Sequence, residues 1–244
     1  MNTFSATSPV MQHRRILLCG DHGSGKTVLG LQFPKLGVIE IDKNLRGPFE
    51  HVLRLNPSLS FKCESPYKKS DTEDYPISEV WPRIEQAIVA FSKDPDVNTV
   101  LFDGLTMMDG MLAEHILKEQ HVKDLRQNDW GIFHKYTLRL LTACRSLNKT
   151  FIMICHEKPV YNASELIERY IPNFRSRVGW HFGGFFTDVW RAYTVPCSRD
   201  ATHPTGVKFC LETTPTALRQ LKNSCGIPGT IEDVTYGKLE QYLK

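Results

Sequence analysis

The chain has 244 residues, 41% of them hydrophobic and 23% charged, with a formal net charge of +3 at pH 7. That length can bury one sizeable α/β core, and the small positive charge permits an anionic partner without demanding one. No apolar run approaches the ~20 residues that span a bilayer, and the polar stretch Met1–Gln12 lacks the apolar centre of a secretory signal, which argues against a membrane or exported protein and for the cytoplasm.

Residues 1–12 read as a flexible tail and 13–244 as one domain. Arg14–Cys19 (RRILLC) is a short apolar strand, followed by a Gly-rich turn and a helix from Lys26 to about Phe33, closed by Pro34. Gly37–Asp42 reads as a buried strand, Phe61–Glu64 as a short one, and Ser65–Asp74 as an exposed loop. Ile77–Lys93 carries a helical stripe at Val80, Ile84, Ala87, Ile88 and Phe91. Asn98–Phe102 is the next strand, ending in Asp103. Helices over Thr106–Glu119 and Trp130–Leu147 follow, the second with Asn128 or Asp129 as N-cap. Thr150–Cys155 is a buried strand ending in His156. Glu157–Gly184 is too long for an ordinary connection, and Phe185–Val195 with Val207–Thr213 reads as a β-hairpin. Strands alternating with helices predict an α/β fold with a mostly parallel sheet, helices on both faces and a C-terminal hairpin at its edge.

Seven cysteines (19, 63, 144, 155, 197, 210 and 225), an odd number without a CxxC pair, suit a reducing compartment. Cys197, His203 and Cys210 match no compact zinc spacing.

Gly20-Asp21-His22-Gly23-Ser24-Gly25-Lys26-Thr27 satisfies GxxxxGK[ST] and sits between a strand and a helix that continues with Val28. Glycines let backbone N–H groups curl around phosphates, and the helix turns its positive end towards them. Lys26 reaches the β- and γ-phosphates and the Thr27 hydroxyl completes a Mg²⁺ shell. Asp103 stands where such proteins hold Mg²⁺ through water, a capping Asp being the alternative. His156 ends another strand at the edge where ligands gather, and there can sense a γ-phosphate or simply cap the strand. Beyond it, Lys158, Arg169, Arg175 and Arg177 lie among Tyr161, Tyr170, Phe174, Trp180 and Phe182. Cations interleaved with aromatics suit a single nucleic-acid strand. Glu157, Glu165 and Glu168 offset the charge, and the aromatics are equally able to pack internally.

The ordered set GDHGSGKT, NTVLFDGLT, NDWG, FIMICHEKP and LRQLKNSCG resembles phage-encoded P-loop ATPases with a RecA-like core, among them the phage single-strand-annealing recombinases. The resemblance covers roughly residues 14–231. It implies a RecA-type ATPase core with ATP and Mg²⁺ as cofactors, subunits stacked in rings or filaments with ATP at their junctions, and single-stranded DNA along the axis. DNA-facing loops would lie toward 120–130 and over 157–182, with phage or host replication and recombination proteins as further partners. Residues 218–226 resemble the KNRFG motif of DnaB- and RadA-like relatives, in which Lys222 would reach a neighbour's triphosphate. Ser224 replaces that motif's Arg, leaving Arg219 as a possible substitute. Where relatives carry D-x-E, this chain has Asp42-Lys43-Asn44, so Glu40 and Asp42 become the candidate bases and slow turnover is expected. Phe4 misses the Phe-x-x-Ala spacing by which some recombinases anchor a neighbour. The competing readings are a helicase-loading or packaging-type ATPase acting on a protein, a small-molecule kinase, and a nucleotide-gated binding protein.

Overall fold

The computed structural model describes residues 13–175, 182–200, 202–203 and 205–243. The expected tail, Phe4 and Arg177 lie outside them. The first strand, β1 (Arg15–Gly20), has β5 (Thr150–Tyr161) on one side and β7 (Asp188–Pro196) on the other, both parallel to it. Beyond β5 come β4 (Thr99–Asp103), β2 (Leu36–Glu40) and β3 (Lys62–Glu64), again parallel. The other edge is antiparallel: β8 (Val207–Glu212) pairs with β7, and β9 (Thr230–Glu232) with β8.

Strand alternation sorts the core into two faces. Ile16 and Leu18 of β1 join Val38, Leu101, Ile152 and Ile154 beneath α1 (Lys26–Gly30), α2 (Arg46–Leu55) and α6 (Tyr236–Leu243). Leu17 and Cys19 join Ile39, Val100, Phe102, Phe151 and Met153 beneath α3 (Ile77–Lys93), α4 (Leu105–Gln120) and α5 (Asp129–Ser146). The expected architecture of a parallel sheet covered on both faces, with a late hairpin, is the one observed. Among the described residues no helix is long and apolar enough to cross a membrane.

Several boundaries differ from expectation. The first helix stops at Gly30, because Gln32 and Phe33 turn back with tighter bonds to Leu29 and Gly30 ahead of Pro34. Helix α2 goes unread in the sequence because Gly47 and Pro48 mimic a loop, although proline is tolerated in a first helical turn. At the start of α5, Asn128 stands at the N-cap as one of the two expected residues but makes no side-chain cap bond, and the Asp129 carboxylate turns back to accept from the Arg126 backbone N–H and guanidinium at 2.8 and 3.1 Å. Strand β5 does not end at His156. It runs on to Tyr161 and pairs antiparallel with β6 (Ile167–Pro172), so half of the long connection is a hairpin arm standing clear of β1 and β4. Its turn is hard to read because the left-handed position is filled by Glu165, at φ 59°, rather than by glycine. Asn162 closes that turn, its side-chain oxygen accepting from the N–H groups of Ser164 and Leu166.

Candidate functional site

The loop Gly20–Thr27 leaves the carboxyl end of β1, and α1 starts from Gly25 in a left-handed conformation, φ 83°. The Phe209 ring of β8 lies 2.6 Å from where a Cβ would stand, so glycine serves there both as hinge and as clearance. Lys26 is buried, its ammonium donating to the carbonyls of Gly20 and Asp21 at 2.9 and 2.6 Å and to Ser24 Oγ at 3.3 Å. Burial lowers its pKa, with nearby acidic groups opposing. Asp21, His22 and Gly23 are exposed at the crest of the loop.

Period-two alternation delivers the other groups to the same face. Asp103 follows Leu101 on the α1 side of β4, and its Oδ1 accepts from Thr27 Oγ1 at 3.3 Å. It is 3% exposed, and burial first, then the Asp42 charge, pushes its pKa up to about 7. His156 lies opposite Gly20 in the β1–β5 register. Its Nδ1 is 3.5 Å from the Lys26 ammonium, and its ring stacks on His22 at a centroid distance of 3.7 Å. Burial, with Lys26 and His22 nearby, lowers its pKa to about 4, so the ring is neutral at pH 7.

The two candidate bases differ sharply. Glu40 is held on every side: Oε2 accepts from Ser65 Oγ at 2.7 Å and Tyr67 OH at 2.8 Å, and Oε1 from the Leu45 N–H at 3.2 Å. These bonds make it a brace for the β2–α2 turn and the Ser65–Tyr67 loop, with both carboxylate oxygens engaged. Asp42 instead has a buried Oδ1 without a hydrogen-bond partner, and burial raises its pKa. Gly104, at φ 117°, makes room for it, since a Cβ there would collide with the Asp42 carboxylate.

The oxygen donors Thr27 Oγ1, Asp103 and the unsatisfied Asp42 Oδ1 fit a hard divalent cation such as Mg²⁺. Thr27 and Asp103 are the residues that would hold it, and it would supply charge neutralisation at the phosphates.

A sequence model of the AAA domain family matches residues 12–216, most of the chain. The chain belongs to the AAA domain family. No curated protein matches it. Among solved structures, this AAA domain is similar to a KaiC-like protein from the hyperthermophilic archaeon Pyrococcus horikoshii OT3, at 14% identity and a TM-score of 0.41, over 90% of this chain and 88% of that one. As a member of that family the chain is a P-loop ATPase, and ATP is the ligand its loop is built for.

Other predicted site residues of the AAA domain fall elsewhere. Lys222 bridges Val189 at the start of β7, with its ammonium on the carbonyls of Gly183 and Phe186 at 3.1 and 2.8 Å, away from the loop of its own chain. Arg219 grips the buried Glu157 through two bonds of 3.1–3.2 Å and stacks on Tyr170, so it offers no free finger. Lys158 donates to the Phe174 carbonyl at 3.5 Å, Arg169 pairs with Glu168, and Arg175 pairs with Asp109 at 3.1 Å. Lys158 and Arg175 both lie near Asp109, and Arg169 stands diagonally across the hairpin from Lys158, so each of these cations already has a partner within the arm or at its exit.

Sequence reasoning passed over two groups that shape the site. The Thr106 hydroxyl accepts from the His156 backbone N–H at 3.0 Å, tying the start of α4 to the strand end beside it. Tyr67 is buried in a loop expected to be exposed, because its hydroxyl is needed at Glu40. Thr106 was in view, three residues after Asp103, but its partner lies 50 residues on.

Proposed function

We propose that this ATPase is a recombination protein that assembles on single-stranded DNA and uses ATP to promote annealing or pairing of strands. The observation that carries this reading is the continuity of β5. His156 meets Lys26 midway along the strand, where its pairing with β1 ends, and beyond that point the same strand becomes the arm bearing Lys158 and, through β6, Arg169. A change in phosphate occupancy therefore bears directly on the arm's root. Asp42, beside the phosphate loop and without a hydrogen-bond partner on Oδ1, is the group placed to take a proton from the attacking water. Self-association into a ring or filament, with Lys222 serving a neighbouring subunit's triphosphate, belongs to the same proposal, as do partners among phage or host replication and recombination proteins. The resemblance of the ordered motifs to phage recombinases supports it.

The test is ATP hydrolysis by the full chain with and without single-stranded DNA, with Lys26→Ala as control. Stimulation by DNA, absent in the control and falling steeply with added salt, is the expected result. Stimulation by neither single-stranded DNA nor any change of salt, with ATP still bound, would overturn it.

A second reading is favoured by the tip of the arm, where Tyr161, Leu166 and Ile167 are 57%, 66% and 39% exposed beside Glu165 and Glu168. An apolar, acidic tip suits a protein partner, as in a loader or packaging ATPase. Stimulation of hydrolysis by protein rather than DNA would establish that reading.

A further inference from the structure

The NDWG sequence at the head of α5 has no part in the ATP site, yet it presents a large aromatic surface. Trp130 is 41% exposed, whereas Trp81 and Trp190 are 0% and 1% exposed. The exposed ring is not loose. It packs on Phe133, with centroids 5.6 Å apart, and Phe133 packs in turn on Phe174, 6.0 Å away. Phe133 and Phe174 are both buried, so the tryptophan is the outer member of a chain of tilted aromatic contacts joining α5 to the segment that leaves β6.

Cations border this line of rings on both sides, and the fold turns them outward. In the turn before α5, the Asp129 carboxylate is 2% exposed and the Arg126 side chain paired with it is 62% exposed. At the other end, next to Phe174, the Asp109 carboxylate is 7% exposed and its partner Arg175 is 59% exposed. In each pair the acid is buried and the base faces solvent. Lys123 is exposed in the same turn as Arg126, with Asp124 as that turn's exposed acid. Gly131, next to the ring, leaves bare helix backbone with nothing within 4 Å of its Cβ position, so no bulky side chain crowds that approach.

We infer that Trp130 is a stacking platform for an unpaired base of single-stranded DNA, with Arg126 and Arg175 set to meet the phosphates on either side. This rests on the single-stranded DNA reading above and names the residue that holds a base, which the cations of the arm do not. Aromatic faces bind every base alike, so the platform confers affinity without sequence preference.

The experiment is binding of a labelled oligo-dT to the full chain with ATP and Mg²⁺, comparing Trp130→Ala and Trp130→Phe, followed by tryptophan fluorescence in a Trp180→Phe background. Trp130→Ala is expected to weaken binding about 5- to 150-fold, in line with the loss of one stacked base. Trp130→Phe restores most of it, and both variants keep ATP binding and stay folded at the assay temperature, the alanine variant melting somewhat lower than the parent. Saturating oligo-dT quenches fluorescence in the Trp180→Phe protein, and the quench disappears when Trp130 is also replaced by Phe. Parent binding with an unchanged Trp130→Ala affinity and no quench overturns the platform and leaves the DNA reading standing. A parent that binds no oligo-dT with or without nucleotide overturns both.

Discussion

Glu40 and Asp42 are chemically similar and two residues apart, yet hydrogen bonding assigns them different work. Glu40 accepts three hydrogen bonds, so Glu40→Gln turns a donor against the Tyr67 and Ser65 hydroxyls or the Leu45 N–H. The expected cost is about 1–3 kcal/mol in chemical denaturation, with hydrolysis per folded molecule retained. If Asp42 is the base proposed above, Asp42→Asn keeps the shape and removes that base, so the fold and ATP affinity persist while single-turnover hydrolysis falls about 100-fold or more. Asp109 supplies a pH dependence. Burial, only partly offset by Arg175 and Lys158, pushes its pKa up to about 6 from an ordinary 3.8. The folded chain therefore holds this proton more tightly than the unfolded chain. The resulting stability is full below about pH 4 and is lost as pH rises through about 6. Melting curves of the parent measured against Asp109→Asn should show the parent losing ground across that window, by about 3 kcal/mol at most, and no further change above it. That the P-loop, Asp103 and His156 lie together could be read from the sequence, because each follows an apolar run recognisable as a strand. The places of Tyr67 and Thr106 could not, since a hydroxyl's value depends on a partner that only the folded sheet brings near.

Residues 222–226 show how an element can keep a motif's outline and change its use. Asp188 is fully buried at the start of β7, and its oxygens accept from the Ser224 N–H at 2.7 Å and from Ser224 Oγ at 3.0 Å. Asn223 closes its own turn through the Ile227 N–H and carbonyl. The serine that stands in the place of an expected arginine is thus a structural partner of Asp188. Ser224→Ala should cost about 1–3 kcal/mol by leaving carboxylate oxygens short of donors. Ser224→Arg, which restores the motif by sequence, removes the same hydroxyl and so should not recover the wild-type stability. Urea denaturation of both variants tests this. The late elements were the least legible: β9 is only Thr230–Glu232, and α6 is Tyr236–Leu243, too short for a helical period to stand out. The arm was hidden for a different reason, its turn being built on Asn162 and Glu165 without the glycine that usually marks a hairpin.

At the scale of the molecule, the alternation of strand and helix predicted the sheet class because a parallel strand needs a covering element on each face. It could not predict which strands are neighbours. The order places β5 between β1 and β4, so the phosphate loop and Asp103 are separated by the strand that carries His156. Each of these groups comes from a different strand, and they meet only when the sheet is assembled.

That order has a consequence for synthesis on the ribosome. The first strand made, β1, has its two neighbours at Phe151–His156 and Asp188–Arg191, more than a hundred residues downstream. Until those segments emerge, RILLC has neither edge paired, and an unpaired apolar strand invites intermolecular pairing. A nascent chain stopped short of Asp188 should be bound by chaperones and have no affinity for ATP, although its phosphate loop was completed at residue 27. The ability to hold nucleotide therefore arrives late and abruptly, as a mark that the sheet has closed around its first strand.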